Sequence, residues 1–410
     1  MADTGQGPSD QGAANQGFVP TDGRRGANGS LPVSLRREMM VGGVLRFSSL
    51  GVLIMLIIFF AAAAPGFTSA LSLTNILAST SVFLLLSLGE TFVMISGGID
   101  ISVGSMLGLG GVAGALYMSN NYKGGNGFSS SAGSAGLWLL VVGTIISLAV
   151  GLTGGLLNGS LVVFLKINPL IVTLATYGAF SGFADLLSNG VPVVNLPPAS
   201  VTVGTGELWN IPYIVFFAGG VALVLSWVAK NTRFGRYTYA VGASREAVRR
   251  AGVNLKLHTP MLYGLSGMLA GLAGMINAAH FSTASSTSGA NDLLVAIAAV
   301  VIGGTPLSGG EGRIWGTVVG ALIYTLLENG FVLMNVPSFW QLPVIGLLII
   351  IAVSLDQYQR RLRTELSAYR SLEGITAAEP EGGDGQAAGG EETVGTADQA
   401  GAGSLLKPPL

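Results

Sequence analysis

The sequence predicts an all-α membrane protein that crosses the bilayer about ten times and keeps both termini in the cytoplasm. Three observations predict this class. Half of the 410 residues are hydrophobic and only 10% are charged, whereas a soluble domain carries about a quarter charged residues. Apolar runs near the length of about 20 residues that a bilayer requires recur along the chain. The basic residues cluster between alternate runs, which fixes an orientation.

The candidate spans follow directly from these apolar runs. Nine of these runs are long enough to span, and a tenth, 292–304, is short and ends at the helix-breaking segment "GGTPLSGGEG". With ten crossings and the N-terminus inside, every Lys and Arg except Lys123 lies on the cytoplasmic side, as the positive-inside rule requires. The nine longer runs are 47–64, 75–96, 101–118, 137–157, 168–188, 211–229, 260–281, 314–334 and 339–355.

The ends of the chain differ from this apolar body. Residues 1–40 and 359–410 are rich in small and polar residues, and we expect mostly disordered cytoplasmic tails. The membrane domain then covers 41–358, with one long cytoplasmic loop at 230–258.

The absence of cysteine and the presence of two histidines leave little for a metal site, so we expect no cofactor. A formal net charge of −1 gives no indication of nucleic acid as a partner.

Two segments interrupt the apolar runs in a similar way. "ISGGIDISVGS" (95–105) and "VIGGTPLSGGEG" (301–312) both contain Gly-Gly, Ser and an acidic residue, and both lead into a glycine-rich helix. They indicate two weakly similar halves with broken helices, as transporters often have. Non-helical backbone at membrane depth survives only when it is buried in protein or lines a watery cavity.

Two carboxyl groups lie at or near the first break. Asp100 either caps the next helix beside Ser102, contacts a permeating solute, or acts in gating or a subunit contact. Glu90 either lines a pathway or is hydrogen-bonded in packing, because an ionisable residue in a span needs a partner or water. The predicted pathway or gate residues are Glu90, Gly97, Gly98, Asp100, Ser102, Gly303, Gly304 and Ser308.

Small residues form a ridge on a later span. "YGLSGMLAGLAG" places four glycines on one helix face at spacings of three and four, which favours close helix packing. The ridge is either internal or at a contact between subunits. Its members are Gly264, Gly267, Gly271 and Gly274.

The long loop contains the signature of a short helix. Ser244 is a typical N-cap and Gly252 a typical C-terminal stop. Between them, an apolar stripe of Ala247, Val248 and Ala251 lies among arginines. Such a helix either binds anionic lipid or docks into a groove of a soluble partner.

Here the sequence resembles a known family. "REAVRRAG" (245–252) is similar to the coupling motif of ABC importer permeases, with Val248 where a second alanine is usual. A second difference is that Leu293 and Val295 stand where acidic residues are common. Longer stretches resemble the ribose, xylose, arabinose and galactose branch of these permeases, in the family's order, over about residues 45–357. These stretches are 97–105, 232–254 and 296–313.

The resemblance implies an inner-membrane permease subunit that moves a monosaccharide or similar small polyol. It would pair with a second permease subunit, two ATP-binding subunits and a periplasmic or lipid-anchored substrate-binding protein. Residues 243–254 would form the coupling helix, with Glu246 as a polar contact or cap and Gly252 as the turn. The coupling residues implied are Ser244, Arg245, Glu246, Ala247, Arg249 and Gly252.

Other functions remain open at the level of sequence. No glycine-rich loop leads into a Lys followed by Ser or Thr, so we expect no ATPase activity, and ATP would be bound by the partner. A branched-chain amino-acid ABC permease shares the architecture. An ion-coupled secondary transporter would use Glu90 and Asp100 as coupling carboxylates. A membrane-embedded enzyme is disfavoured by the lack of cysteine and the scarcity of histidine.

Overall fold

In the computed structural model, the chain folds into helices joined by short segments and one small hairpin. The structure describes residues 48–122 and 133–340, with scattered positions between 343 and 358. The predicted tails lie outside the described residues, as does much of the run 339–355. The elements are α1 (Ser48–Ala63), α2 (Ala70–Ile95), α3 (Val103–Asn121), α4 (Gly133–Phe164), α5 (Pro169–Ser188), α6 (Pro198–Thr205), β1 (Glu207–Leu208), β2 (Ile211–Pro212), α7 (Tyr213–Asn231), α8 (Arg233–Ala243), α9 (Arg245–Arg250), α10 (Leu255–Phe281), α11 (Asp292–Ile302), α12 (Ile314–Leu333) and a 3-10 turn at Ser338–Trp340.

The helices confirm a multi-pass helical membrane protein. Six described helices are long and apolar enough to cross a bilayer, namely α2, α5, α7, α10, α12 and residues Gly136–Phe164 of α4. Two apolar helices, α1 and α11, are shorter. Helix α3 occupies the predicted run 101–118, but its many glycines keep it outside the six.

Local signals set the ends of the long helices. Asn168 caps α5, because its Oδ1 accepts a hydrogen bond from the Leu170 amide at 2.9 Å, and Pro169 then takes the first helical position. Asn254 caps α10 in the same way through the Lys256 amide at 3.0 Å. Helix α5 stops where Asn189 adopts a left-handed conformation.

Helix α10 lies at the centre and packs against α4, α3 and α2. The predicted glycine ridge lies within this contact. A Cβ on Gly267 would collide with the Gly151 carbonyl of α4, and one on Gly274 would collide with the Leu107 carbonyl of α3. Of the two alternatives for the ridge, the structure therefore shows an internal contact within one chain.

Helix α2 is joined to α12 by paired threonines. The Thr80 and Thr325 hydroxyls lie 2.6 Å apart, and those of Thr91 and Thr317 lie 2.7 Å apart. Each pair is buried, and hydrogen bonds between helices of this kind stabilise membrane bundles. The two pairs fix the position of α2, whose C-terminal end leads directly into the first break.

The segment 189–212 is ordered and carries a tight hairpin. Glu207 pairs with Pro212 and Leu208 with Ile211, in antiparallel register. Both turn residues, Trp209 and Asn210, have positive φ, as a two-residue hairpin turn requires. The Trp209 side chain is consequently presented at the surface, 82% exposed.

Candidate functional site

Both predicted helix breaks are present. Helix α2 ends at Ile95 and α3 starts at Val103, with Gly97 between them at φ +77°. Helix α11 ends at Ile302 and α12 starts at Ile314. Within this second break Gly309 and Gly310 also have positive φ, a conformation that glycine adopts at no steric cost.

The two breaks are in direct contact. The Gly310 amide donates a hydrogen bond to the Ile95 carbonyl at 2.8 Å. A Cβ on Gly309 would lie 2.6 Å from the Gly97 nitrogen, and one on Gly97 would lie 3.6 Å from the Ser308 carbonyl oxygen. The two segments that the sequence marks as similar therefore form a backbone-to-backbone joint.

The long loop contains two helices, and the second is the predicted short one. Ser244 has an extended backbone that ends α8, and its hydroxyl accepts a hydrogen bond from the Ala247 amide at 3.3 Å to cap α9. Gly252, at φ +81°, donates to the Arg249 carbonyl at 3.1 Å. The predicted short helix, capped by Ser244 and ended by Gly252, is thus confirmed. Both end contacts join residues that are three positions apart in the sequence.

The charges of α9 point into solvent. Glu246 Oε1 accepts hydrogen bonds from Arg249 at 2.9 Å and from Arg250 at 3.1 Å. These two guanidinium groups hold the pKa of Glu246 below its ordinary value. Of the predicted apolar stripe only Val248 is buried, while Ala247 and Ala251 remain exposed. Helix α9 thus has an exposed surface of both small apolar and charged side chains.

Helix α8 links α9 to both breaks. A Cβ on Gly242 would collide with the Ile95 carbonyl and with the Gly310 amide, so the end of α8 lies against the joint itself. The Tyr239 hydroxyl donates to the Gly312 carbonyl at 3.0 Å. Burial raises the pKa of Tyr239, which keeps the phenol protonated and able to donate. The C-terminal end of α8, next to α9, is therefore in contact with both breaks.

A pocket of about 480 Å³ lies beside the start of α9. It is enclosed by the end of α4, the α4–α5 turn, α8 and the start of α10. Lys166 and Arg245 are its two charged lining residues, and both are exposed.

Buried polar side chains surround the first break. Asp100 Oδ1 accepts hydrogen bonds from the Ser102 amide at 3.0 Å and hydroxyl at 2.6 Å, which locks the turn. The Asp100 amide donates to Glu90 Oε1 at 3.2 Å. The Asn158 amide group of α4 donates to the Ser102 hydroxyl at 2.7 Å. The contacts of Glu90 match the alternative in which it is hydrogen-bonded in packing. The contacts of Asp100 match the alternative in which it locks the turn beside Ser102.

The structure separates the predicted pathway or gate residues into three places. Glu90, Asp100 and Ser102 belong to the buried polar cluster, with Gly98 beside it. Gly97 and Ser308 lie at the joint between the breaks. Gly303 packs against Gly316 at the start of α12, away from both, and Gly304 is exposed. No group of three or more His, Asp or Glu side chains among the described residues is placed to hold a metal ion.

Several residues of these sites did not stand out in the sequence. Asn158 is a polar residue inside the apolar run "GLLNGSL", and that pattern could have marked it. Gly242 and Tyr239 carry no such signal, since their role comes from contacts with segments distant in sequence. Tyr263 and Ser266 face the first break from the same helix as the glycine ridge, and the spacing of the glycines is the stronger pattern in that helix.

The comparison with known families decides which kind of membrane protein has this arrangement. The family described as "Branched-chain amino acid transport system / permease component" matches residues 72–353. This chain belongs to that permease family. No solved structure matches the permease.

Curated relatives of the permease include proteins named for ribose import and for D-allose transport. The ribose import permease protein RbsC of Escherichia coli K12 is 35% identical over 79% of this chain and 97% of its own length. The D-allose transport system permease protein AlsC of the same strain is 32% identical over 76% of this chain and 91% of its own. A probable ABC transporter permease of Sinorhizobium fredii, y4mJ, is 33% identical over 82% and 96%. The resemblance to monosaccharide importer permeases is confirmed.

Proposed function

We propose that this permease is the membrane-spanning subunit of an ATP-binding-cassette importer for a monosaccharide or similar small polyol. The observation that carries the proposal is the physical link from the exposed α9 through α8 to the joint between the two breaks. Relatives named for ribose import and for D-allose transport support the solute class. Both favour a sugar over a branched-chain amino acid, which the family description also names.

In this proposal, α9 is the coupling helix and seats in a cleft of a separate ATP-binding subunit. Its exposed small residues allow close approach, while its arginines form the charged part of the contact. Closure of the ATPase on ATP displaces α9, and rigid α8 transmits this displacement to Ile95 and Gly310. The two broken helices then tilt about their shared backbone contact and open or close the pathway.

The topology proposed is about ten crossings with both termini in the cytoplasm, which places α9 on the ATPase side. A tag after Leu410 tests it. The tag is expected to be cleaved by protease only when the cytoplasmic face is accessible. Cleavage from the periplasmic face of intact cells would contradict the topology and remove α9 from the ATPase side.

The partners proposed are two ATP-binding subunits, a substrate-binding protein and a second permease subunit, either an identical copy or a close homologue. This chain carries no phosphate-binding loop, so the energy is supplied by the ATP-binding subunit. Solute selection then depends largely on the binding protein.

The deciding experiment is uptake by proteoliposomes that contain the permease with its cognate ATP-binding subunit and binding protein. We expect uptake of a labelled monosaccharide that requires ATP and is competed by sugars but not by leucine. Uptake should persist when ionophores abolish ion gradients. Dependence on an ion gradient, or competition by leucine alone, would contradict the proposal and favour the two alternatives.

A further inference from the structure

The first break is surrounded by buried oxygen atoms that lack hydrogen-bond partners within the described part of the chain. They are Oε2 of Glu90, Oδ2 of Asp100, Oδ1 of Asn158 and the hydroxyls of Tyr263 and Ser266. Each of these residues is at most 1% exposed. Buried polar groups in native proteins are almost always paired, so a group of five needs an explanation.

These residues lie around the same short stretch of backbone. Glu90 and Asp100 are joined by the hydrogen bond between Glu90 Oε1 and the Asp100 amide. The Tyr263 hydroxyl lies against Gly98, where a Cβ would be 2.7 Å away from it. The Ser266 hydroxyl lies against Gly89, where a Cβ would be 3.2 Å away.

Asn158 completes the arrangement from a third helix. Its amide nitrogen donates to the Ser102 hydroxyl, and this hydroxyl donates to Asp100 Oδ1. The Asn158 carbonyl oxygen is left over as an acceptor. Helices α2, α4 and α10 and the first break therefore each contribute an unpartnered oxygen.

The charge of this group is not balanced by protein. Neither cluster carboxyl forms an ion pair with a described residue. Two ionised carboxylates buried together without a counter-ion would cost far more than the fold can supply.

We propose that Glu90, Asp100, Asn158, Tyr263 and Ser266 form a binding site for one small monovalent cation, either Na⁺ or a proton. Hard cations take oxygen ligands, and carboxylate, amide and hydroxyl oxygens are the donors present. One such cation leaves a single negative charge, which the two hydroxyls stabilise by donating hydrogen bonds. The bound cation holds the first break against α10, whichever solute the permease carries.

Thermal unfolding of the purified full-length permease tests the site without any transport assay. At about pH 9, replacing choline chloride by NaCl at equal ionic strength is expected to raise the unfolding temperature by about 5 °C if Na⁺ is the ligand. If the ligand is the proton, Na⁺ has no effect. The unfolding temperature in choline then falls between about pH 6 and about pH 9 by a similar amount, because deprotonation leaves two buried charges.

Variants separate this site from other titrating groups. Glu90→Gln and Asp100→Asn are each expected to abolish the Na⁺ effect or the pH effect, whichever the unaltered chain shows. Asp185→Asn removes an exposed carboxyl of α5 and should retain it. The compared quantity is the difference in unfolding temperature between the unaltered chain and Glu90→Gln. If neither Na⁺ nor pH changes this difference, the proposal is overturned.

Milder variants keep the test decisive if the carboxyl variants do not fold. Tyr263→Phe and Ser266→Ala remove one neutral oxygen each and keep both carboxyls. For a Na⁺ site, about ten-fold more NaCl should then be needed for the same stabilisation. For a proton site, the fall in stability should extend to higher pH, because the lost hydroxyl no longer donates to the ionised carboxylate and ionisation becomes harder. An unchanged titration in both variants would also overturn the proposal.

Discussion

Helix α9 and the first break are both short, polar and close to glycine, yet they are stabilised in opposite ways. Helix α9 is exposed and is held by its own caps and by ion pairs within one turn. The polar side chains of the first break are buried, and its contacts come from α4, α8, α10 and the second break. Changes in α9 should therefore affect partner binding, whereas changes at the break should affect folding.

The largest expected effect is at the ridge that supports the break. In Gly271→Ala the added Cβ collides with the Ser147 carbonyl, a backbone group that cannot move aside. We expect a loss of about 2–3 kcal/mol in the free energy of unfolding, measured by thermal or denaturant unfolding in detergent. Gly178→Ala, in open space on α5, is the matched control and should be nearly neutral. Equal losses in the two variants would contradict this packing argument.

The next effect concerns transport and not folding. Gly252→Pro removes the amide that donates to the Arg249 carbonyl and forbids the positive φ found there. Glu246→Arg reverses the charge that organises Arg249 and Arg250. We expect both variants to insert and unfold like the unaltered permease but to lose ATP-driven uptake. Normal uptake in either variant would remove the coupling assignment from α9.

Between the two regions lies α8, and Tyr239→Phe tests the link. The lost hydrogen bond to Gly312 should cost only about 1 kcal/mol of stability. Uptake per ATP hydrolysed should fall several-fold, because motion of α8 is transmitted less firmly to the second break. Tyr237→Phe is the control, since no hydrogen bond of the Tyr237 hydroxyl appears among the described residues. The same fall in both variants would argue against the link.

The smallest effect is the pH response of α9. Because the pKa of Glu246 lies below its ordinary value of 4.5, its ion pairs contribute fully above that value. They are lost only as the pH falls through the lowered pKa. Amide exchange in α9, corrected for intrinsic rates, should therefore be constant from about pH 7 to about pH 5.5. A marked loss of protection in this range would show that the helix depends on another titrating group.

Much of the fold followed from local patterns in the sequence. Hydropathy placed the helices, Ser244 and Gly252 bounded α9, and the spacing of four glycines marked the ridge. These signals work because each depends on neighbours within a few residues.

The candidate site was harder to predict, because it depends on contacts between distant segments. No pattern near Gly242 indicates that it touches both Ile95 and Gly310, which lie far away along the chain. Asn158, Tyr263 and Ser266 likewise acquire their setting only when α4 and α10 pack around the break. The sequence marks Glu90 and Asp100 because carboxyl groups are costly in lipid. It does not indicate that the two residues are buried next to each other.

The hydrogen bond from the Gly310 amide to the Ile95 carbonyl has one more consequence. It joins two main-chain groups, so it requires no particular side chain beyond the glycine that adopts the positive φ at position 310. In the proposed importer, side chains along the pathway can therefore change identity while this contact between the two breaks stays the same. On that mechanism, the permease can acquire a new cargo without redesigning its moving part.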